Sequence, residues 1–236
     1  MVDAASLLAH LAERPRAAAI LLDVDGTLAP IVPRPEDARV PDETREELRR
    51  LAGRYGLVAC ISGRPGEDAA RIVGVEGIRY VGEHGLELEP EAEEWAERLA
   101  AFARGVEWPA EGGKRLTLSF HFRTAPEGEE SLREVAKRAL ERGLRPRWGR
   151  KVLEIRPPLD ADKGTAVRRL LEQAALRRAL YAGDDTTDLD AFRALDGLEV
   201  AVRVAVVSEE GPPGLGEQAD LAVGDTEQLV ELLRML

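Results

Sequence analysis

The sequence predicts an α/β protein in which a parallel sheet, covered on both faces by helices, is interrupted in mid-chain by a smaller α/β unit. Three observations carry this. Apolar runs of strand length alternate with helical-period segments near both ends of the chain. Strict apolar–polar alternation, the mark of a half-exposed antiparallel strand, is confined to the middle. Two apolar runs stop at clustered aspartates, Asp23 and Asp25 after the first and Asp184 and Asp185 after a later one.

In chain order, AAAILLDVD (17–25) is an apolar run of buried-strand length. DETREELRRLA (42–52) has helical spacing with acids early and arginines late, as the helix dipole favours. LVACIS (57–62) is a second strand, followed by the turn Gly63-Arg64-Pro65-Gly66 and the helix EDAARIVG. IRYVG (78–82) is a third strand. The pattern then changes. EAEEWAERLAAFARG (91–105) and GEESLREVAKRALERG (128–143) are helical, while RLTLSFHFR (115–123) and RKVLEIRP (150–157) alternate. These segments make a small open sheet with helices on one face, a unit of about 70 residues at 87–157. It is set into a core formed by 1–86 and 158–236. The first pattern returns in the helix DKGTAVRRLLEQ (162–173), the strand ALYAGDD (179–185) and the helix TDLDAFRAL (187–195). EVAVRV (199–204) and ADLAVG (219–224) are short strands, and TEQLVELLRML closes the chain as a helix.

Composition bounds the function. The 236 residues are 44% hydrophobic, enough for a sizeable core. A net charge of −11 argues against nucleic-acid and anionic-membrane partners, whose phosphates would be repelled. A small anionic substrate stays open, because a local cluster of cations overrides the global sign. The single cysteine, Cys60, rules out an internal disulfide and fits a reducing, cytoplasmic location. No apolar run approaches the length of a membrane span, and MVDAASLLAHLAERPR lacks the basic leader of a signal peptide.

The aspartates carry the chemistry. Residues i and i+2 of a strand face one side, so Asp23 and Asp25 are expected to aim at one point beyond the sheet. In open parallel sheets that crevice is where ligands bind. Two carboxylates there need a cation or a shared proton, and a hard ion such as Mg²⁺ suits oxygen ligands. Gly26 permits a sharp turn, and its N–H with that of Thr27 can hold an anion. GDDTTDLDAF (183–192) gathers Asp184, Asp185 and Asp188 at a second strand end. Helix capping accounts for one or two of these acids, not for a pair after Gly183. Ser62 offers a hydroxyl to a phosphoryl oxygen, or else caps its turn. Lys163 is one of four lysines, with Lys114, Lys137 and Lys151. It opens a helix, where the dipole opposes a cation, so it reads as a neutraliser of Asp23 and of a phosphoryl group.

Together DVDGT, Ser62 in ISGR, Lys163 and GDDTTD resemble the haloacid dehalogenase superfamily of aspartate-nucleophile phosphatases, in order and spacing over nearly the whole chain. The resemblance implies a Rossmann-like parallel-sheet core with an inserted cap domain. It makes Asp23 the nucleophile and a Mg²⁺ ligand, and Asp25 the general acid and then base, which also offers a backbone carbonyl to the metal. Ser62 and Lys163 would hold the phosphoryl group. Asp184 would bind Mg²⁺ with support from Asp185 or Asp188, and Gly26, Thr27, Gly63 and Arg64 would line the substrate. The physical logic agrees: a carboxylate attacking a phosphate dianion meets repulsion that a divalent cation and a lysine must offset.

The insert lies between Ser62 and Lys163, as in the superfamily's larger, sugar-selecting cap class. Within that class the chain is most similar to trehalose-6-phosphate phosphatases, on DVDGTLAPIVPRPEDA, ISGRPGED, YVGEHGLE, SFHFR, GRKVLEIRPP, DKGTAV and GDDTTDLDAF. Leu189 departs from that pattern, where Glu is usual. The similarity implies a phosphorylated disaccharide as substrate, a monomer, and a functional link to a trehalose-phosphate synthase. Arg123, Lys151, Glu154 and Arg156 set charged groups along the cap strands, with Glu154 opposite Leu153 and Ile155. Sugar hydroxyls need such donors and acceptors, although a solvated salt-bridge ladder has the same look. His84 in GEHG is a further substrate contact from the core. Trp95, Trp108 and Trp148 read as packing residues. The rival readings are another sugar phosphatase of the superfamily, acting on sucrose phosphate, mannosyl-3-phosphoglycerate or a hexose phosphate, and a non-catalytic phosphosugar-binding module.

Overall fold

The computed structural model describes residues 4–32, 34–110, 112–122, 125, 128–149, 151–208 and 211–236. They form two compact units, 1–85 with 161–236, and 86–160. The first stretch holds α1 (Ala4–Ala12), β1 (Ala19–Leu22), α2 (Asp42–Arg54), β2 (Leu57–Ile61), α3 (Gly66–Val73) and β3 (Arg79–Val81). The second unit holds α4 (Ala92–Ala103), β4 (Leu118–His121), α5 (Gly128–Glu141), β5 (Arg145–Gly149) and β6 (Val152–Arg156). The chain then adds α6 (Lys163–Ala174), β7 (Arg178–Gly183), α7 (Asp188–Ala194), β8 (Val200–Val206), β9 (Leu221–Val223) and α8 (Thr226–Leu233). Among the described residues no helix is long and apolar enough to cross a membrane.

In the first unit six strands lie in the order β3-β2-β1-β7-β8-β9, and every pair is parallel. Burial on both faces explains why these strands read as unbroken apolar runs. Ile20, Leu22, Val58, Cys60, Leu180, Ala182, Val202 and Val204 point into a core shared with Leu8 and Leu11 of α1, Leu48 and Leu51 of α2, Ile72 of α3 and Leu229 of α8. The alternate positions face α6 and α7, where the Tyr181 ring meets Phe192 edge-on at 6.1 Å. Strand order reverses between β1 and β7, and a crevice opens beyond the carboxyl ends of adjacent strands at such a point.

The first apolar run is shorter than its sequence suggests. β1 stops at Leu22, Asp23 N–H still donates to the Ala182 carbonyl at 2.9 Å, and the chain then turns. Gly26 N–H bonds to the Ala29 carbonyl, and Leu28 and Ala29 N–H both bond to the Val24 carbonyl. Asp23 and Asp25 therefore do not sit side by side on one strand. The N-terminal stretch, read in the sequence only for a leader, is helix α1, with Leu8 and Leu11 buried in the core.

The second unit is a three-stranded antiparallel sheet, β4-β6-β5, where the alternation pattern marks only two strands. β5 has the sequence RPRWG, and proline, glycine and charge conceal it. An edge strand tolerates all three, because one side of its backbone needs no partner. Phe120, Leu153 and Ile155 point to a core with Leu99 and Phe102 of α4 and Leu132, Val135 and Ala139 of α5. On the opposite face Ser119, Glu154 and Arg147 are aligned across the three strands. The alternation there gives one apolar and one polar face, as the sequence predicts.

Phe120 is fully buried in that small core. Phe120→Ala should cost about 3–5 kcal/mol. All three tryptophans lie within 86–160, so urea unfolding followed by tryptophan fluorescence reads this unit directly. An unchanged midpoint would contradict the packing.

Candidate active site

Strand ends at the β1/β7 junction deliver the acidic side chains. Asp23 follows β1 and is 5% exposed, and its Oδ1 lies 2.8 Å from Lys163 Nζ. Lys163 is the first residue of α6, whose start is fixed by a capping box in which the Asp162 carboxylate accepts from Thr165 N–H. The ammonium also donates to Asp188 Oδ1 at 2.6 Å. Burial alone lowers the affinity of Lys163 for its proton, but Asp188 and Asp23 outweigh it and the lysine is held charged.

Asp188, at the start of α7, is fully buried and saturated with donors. Its Oδ1 accepts from Lys163 and from the Tyr181 hydroxyl at 2.7 Å, and its Oδ2 accepts the backbone N–H of Asp184 at 3.0 Å and of Asp185 at 2.8 Å. Tyr181 is pushed well above the ordinary tyrosine range by burial and then by Asp188, so it remains a donor.

Asp184 follows β7 and accepts from Thr27 Oγ1 at 3.1 Å. Its pKa is raised to about 6, mainly by burial and next by the charge of Asp188. Asp23 is likewise raised well above the carboxylate range, chiefly by burial, against the pull of Lys163. Gly26 makes room for Asp184: its φ is +81°, and a Cβ there would stand 2.0 Å from Asp184 Oδ2. Asp23, Asp184 and Asp188 can each offer one oxygen, all within 4.8 Å of one another. When all three are ionised, three carboxylates against one ammonium leave two negative charges in excess in a largely buried site. A hard dication balances that excess, and the all-oxygen donor set suits Mg²⁺. Because Asp188 already accepts four hydrogen bonds, Asp23 and Asp184 are the carboxylates with capacity for a cation.

The remaining expected residues are placed differently from one another. Asp25 turns away from Asp23 and forms a bidentate pair with Arg64, Nε–Oδ2 at 2.6 Å and Nη2–Oδ1 at 2.7 Å. Arg64 also donates to the Pro35 carbonyl at 3.0 Å, so it ties Asp25 to the loop after β1. The prediction that Asp23 and Asp25 share one focus gives way to two separate pairings. Asp185 lies outside the three-carboxylate cluster and accepts from Thr186 N–H at 2.7 Å. Ser62 is 1% exposed, and its Oγ accepts Arg64 N–H at 3.1 Å, the turn-capping role, while its own O–H can still donate.

The segment Glu83–Gly85 has three consecutive left-handed residues, at φ 48°, 56° and 98°. It is strapped to the turn after β2 by Glu83 N–H to the Arg64 carbonyl and His84 N–H to the Ser62 carbonyl, both at 2.9 Å. Such a conformation in non-glycine residues costs about 1–3 kcal/mol each and persists only where surroundings impose it. The His84 imidazole lies over Gly63, and a Cβ on Gly85 would meet the Asp162 carbonyl at 2.8 Å. The strain thus brings His84 beside Ser62 and packs Gly85 on the start of α6.

In the second unit, Glu154 and Arg156 occupy the polar sheet face, with Lys114 Nζ 3.0 Å from Ser119 Oγ on the same face. Lys151 departs from them, at φ 64° in the β5–β6 turn with its ammonium 5.7 Å from the Phe122 ring centre. Arg123 lies outside the described residues. Trp108 packs as expected and donates to the His121 carbonyl at 3.0 Å. Trp148 is 41% exposed, with its ring under Arg133. The residues the sequence reading missed are Tyr181 and the pairing role of Arg64. A lone tyrosine in the alanine- and leucine-rich strand before GDD was the available signal.

The trehalose-phosphatase family model matches residues 21–110 and 112–220. The chain belongs to the trehalose-phosphatase family. It is similar to the probable trehalose-phosphate phosphatase 9 of Oryza sativa subsp. japonica, 35% identical over 221 residues that cover 75% of this chain and 59% of that protein. The chain spans about half the length of several such relatives. Among solved structures it is similar to an Aspergillus fumigatus trehalose-6-phosphate phosphatase, with a TM-score of 0.66 and 26% identity, covering 99% of this chain and 97% of that one. A haloacid dehalogenase-like hydrolase from Bacteroides thetaiotaomicron shares the fold, with a TM-score of 0.61 at 16% identity over 92% of this chain and 98% of that one. Membership of the trehalose-phosphatase family thus extends over both units.

The raised value of Asp184 has a measurable sign. Folding holds its proton more tightly than the unfolded chain does, so ionising it costs stability, lost as pH rises from the ordinary 3.8 through about 6. In chelator, wild type should lose more stability than Asp184→Asn between about pH 4 and pH 6, by urea titration. Parallel pH profiles would refute the burial argument.

Proposed function

We propose that this chain is a phosphoric monoester hydrolase that removes the phosphoryl group from trehalose 6-phosphate. The observation that carries the chemistry is the buried contact of Asp23 with Lys163, at 2.8 Å and beside Asp184. Family membership supports the substrate.

In this reading Asp23 Oδ attacks phosphorus in line with the ester oxygen, forming an aspartyl-phosphate as the P–O ester bond breaks. Asp25 gives its proton to the departing sugar oxygen and later takes one from the water that attacks phosphorus, releasing phosphate and restoring Asp23. Because Arg64 occupies both oxygens of Asp25, the acid must leave that pair before it can reach the leaving group. Lys163 offsets the phosphoryl charge while Asp188 holds it in place, and the Ser62 hydroxyl donates to a phosphoryl oxygen. Asp23 and Asp184, with the Asp25 carbonyl, would hold Mg²⁺, which when bound supplies positive charge against the phosphoryl oxygens. Asp188 and Asp185 support that set through the loop they share.

Substrate recognition is assigned to the second unit as a cap domain, with Glu154 and Arg156 on its polar face as the groups for sugar hydroxyls. Gly26, Thr27, Gly63 and His84 line the phosphoryl end. A monomer in the cytoplasm, fed by a trehalose-phosphate synthase, completes the proposal, and a buried, unreactive Cys60 suits that compartment.

Phosphate release should be measured on trehalose 6-phosphate, sucrose 6-phosphate, mannosyl-3-phosphoglycerate and glucose 6-phosphate, with Mg²⁺ and with chelator. Trehalose 6-phosphate should lead by about 10-fold or more in kcat/KM. Asp23→Asn should lower kcat by at least about 10³-fold. Equal turnover of glucose 6-phosphate would remove the disaccharide assignment, and an unchanged Asp23→Asn rate would remove the nucleophile.

A further inference from the structure

Tyr181 is a buried polar group for which the reaction above has no use. It sits in the middle of β7, fully buried, with its ring edge-on to Phe192. A phenylalanine would fill the same space, so packing does not explain the hydroxyl. A buried phenol needs a partner, and this one donates to Asp188 Oδ1 at 2.7 Å.

That oxygen is shared. It accepts from Lys163 at 2.6 Å as well, while Lys163 also bonds Asp23 at 2.8 Å. The lysine is therefore divided between two buried carboxylates, and its position depends on how strongly each pulls. Every other acceptor site of Asp188 is taken by a backbone N–H, from Asp184 or Asp185. Among the described residues, the tyrosine supplies the one donor that satisfies Asp188 without adding charge and without coming from the main chain. Without it, a lone pair of a buried carboxylate would have only the ammonium to turn to, and Lys163 would be drawn away from Asp23.

We propose that Tyr181 is a positioning residue whose hydroxyl takes a share of Asp188 and so keeps Lys163 extended toward Asp23. The inference rests on the reading of Asp23 and Lys163 as the phosphoryl site. The same contact would hold the 184–188 turn in register with Asp23, because Asp188 binds both backbone amides of that turn.

Tyr181→Phe removes only the hydroxyl, and Phe192→Leu disturbs the packing of the ring while leaving the hydroxyl. Each is compared with wild type in Mg²⁺ for kcat and KM, for orthovanadate affinity by thermal shift, and for the urea midpoint. Tyr181→Phe should lower kcat and orthovanadate affinity together, each about 10-fold, the size of one hydrogen bond to a charged group. Its midpoint should fall as well, because the same buried hydrogen bond is lost, so Phe192→Leu is the control for loss of stability alone. Phe192→Leu should lower the midpoint and leave kcat within about 2-fold, as expected of a packing change away from the reacting atoms. Wild-type kcat and orthovanadate affinity in Tyr181→Phe would overturn the inference while leaving the phosphatase reading intact. An equal loss of both in Phe192→Leu would overturn it as well, by making Tyr181 structural only. A wild-type chain that neither binds orthovanadate nor releases phosphate from any ester overturns the phosphatase reading, and this inference with it.

Discussion

Everything at this site depends on one ammonium group between two carboxylates. Lys163, Asp23 and Asp188 are each no more than 7% exposed, so water screens none of them. A buried carboxylate without a cation takes up a proton or is driven outward, and a buried lysine without an anion gives its proton up. Each member therefore needs the other two. The lysine stands where the α6 dipole disfavours it, and the two aspartates more than offset that cost. Geometry follows from the same constraint, since the capping box on Asp162 and Thr165 fixes the stem of the lysine and the donors on Asp188 fix its far partner.

Topology makes this meeting possible between residues far apart in sequence. β1 and β7 are neighbours in register, Leu22 beside Ala182, so the residues that follow each strand emerge together. Asp23 and Asp184 inherit their proximity from that pairing. Gly26 then lets the chain turn under Asp184, and Thr27 reaches the same carboxylate. The result is a cluster whose carboxylates, when all are ionised, outnumber its one ammonium.

The sequence was legible wherever physics acts through period and composition. Both-face burial wrote the parallel strands as apolar runs, and the small sheet of the second unit declared itself through alternation in β4 and β6. Lys163 and Asp184 stood out because neither is explained by helix capping. What the sequence concealed depends on contacts across the fold. β5 carries Pro146 and Gly149 because an edge strand permits them, and α1 is short, with only Leu8 and Leu11 to show its buried face. Asp23 and Asp25 looked like a pair because their spacing was read on an ideal strand. The chain leaves the sheet at Asp23, and Arg64, 39 positions on, claims Asp25. Tyr181 was silent for the same reason: a tyrosine in a strand is ordinary until its hydroxyl is seen to meet Asp188.

The packing of Gly85 on the start of α6 has a consequence for the ancestry of such chains. Gly85 ends the first stretch of the core, and Asp162, whose carbonyl a Cβ there would touch, lies next to the residue where the core resumes. The two points at which the core is interrupted, Gly85 and Ala161, with 75 residues between them, thus lie close together within the core. An element joined in this way can be lengthened, shortened or exchanged without asking the sheet to move. The sequence between those two points can then change while the aspartates and lysine of the core stay as they are.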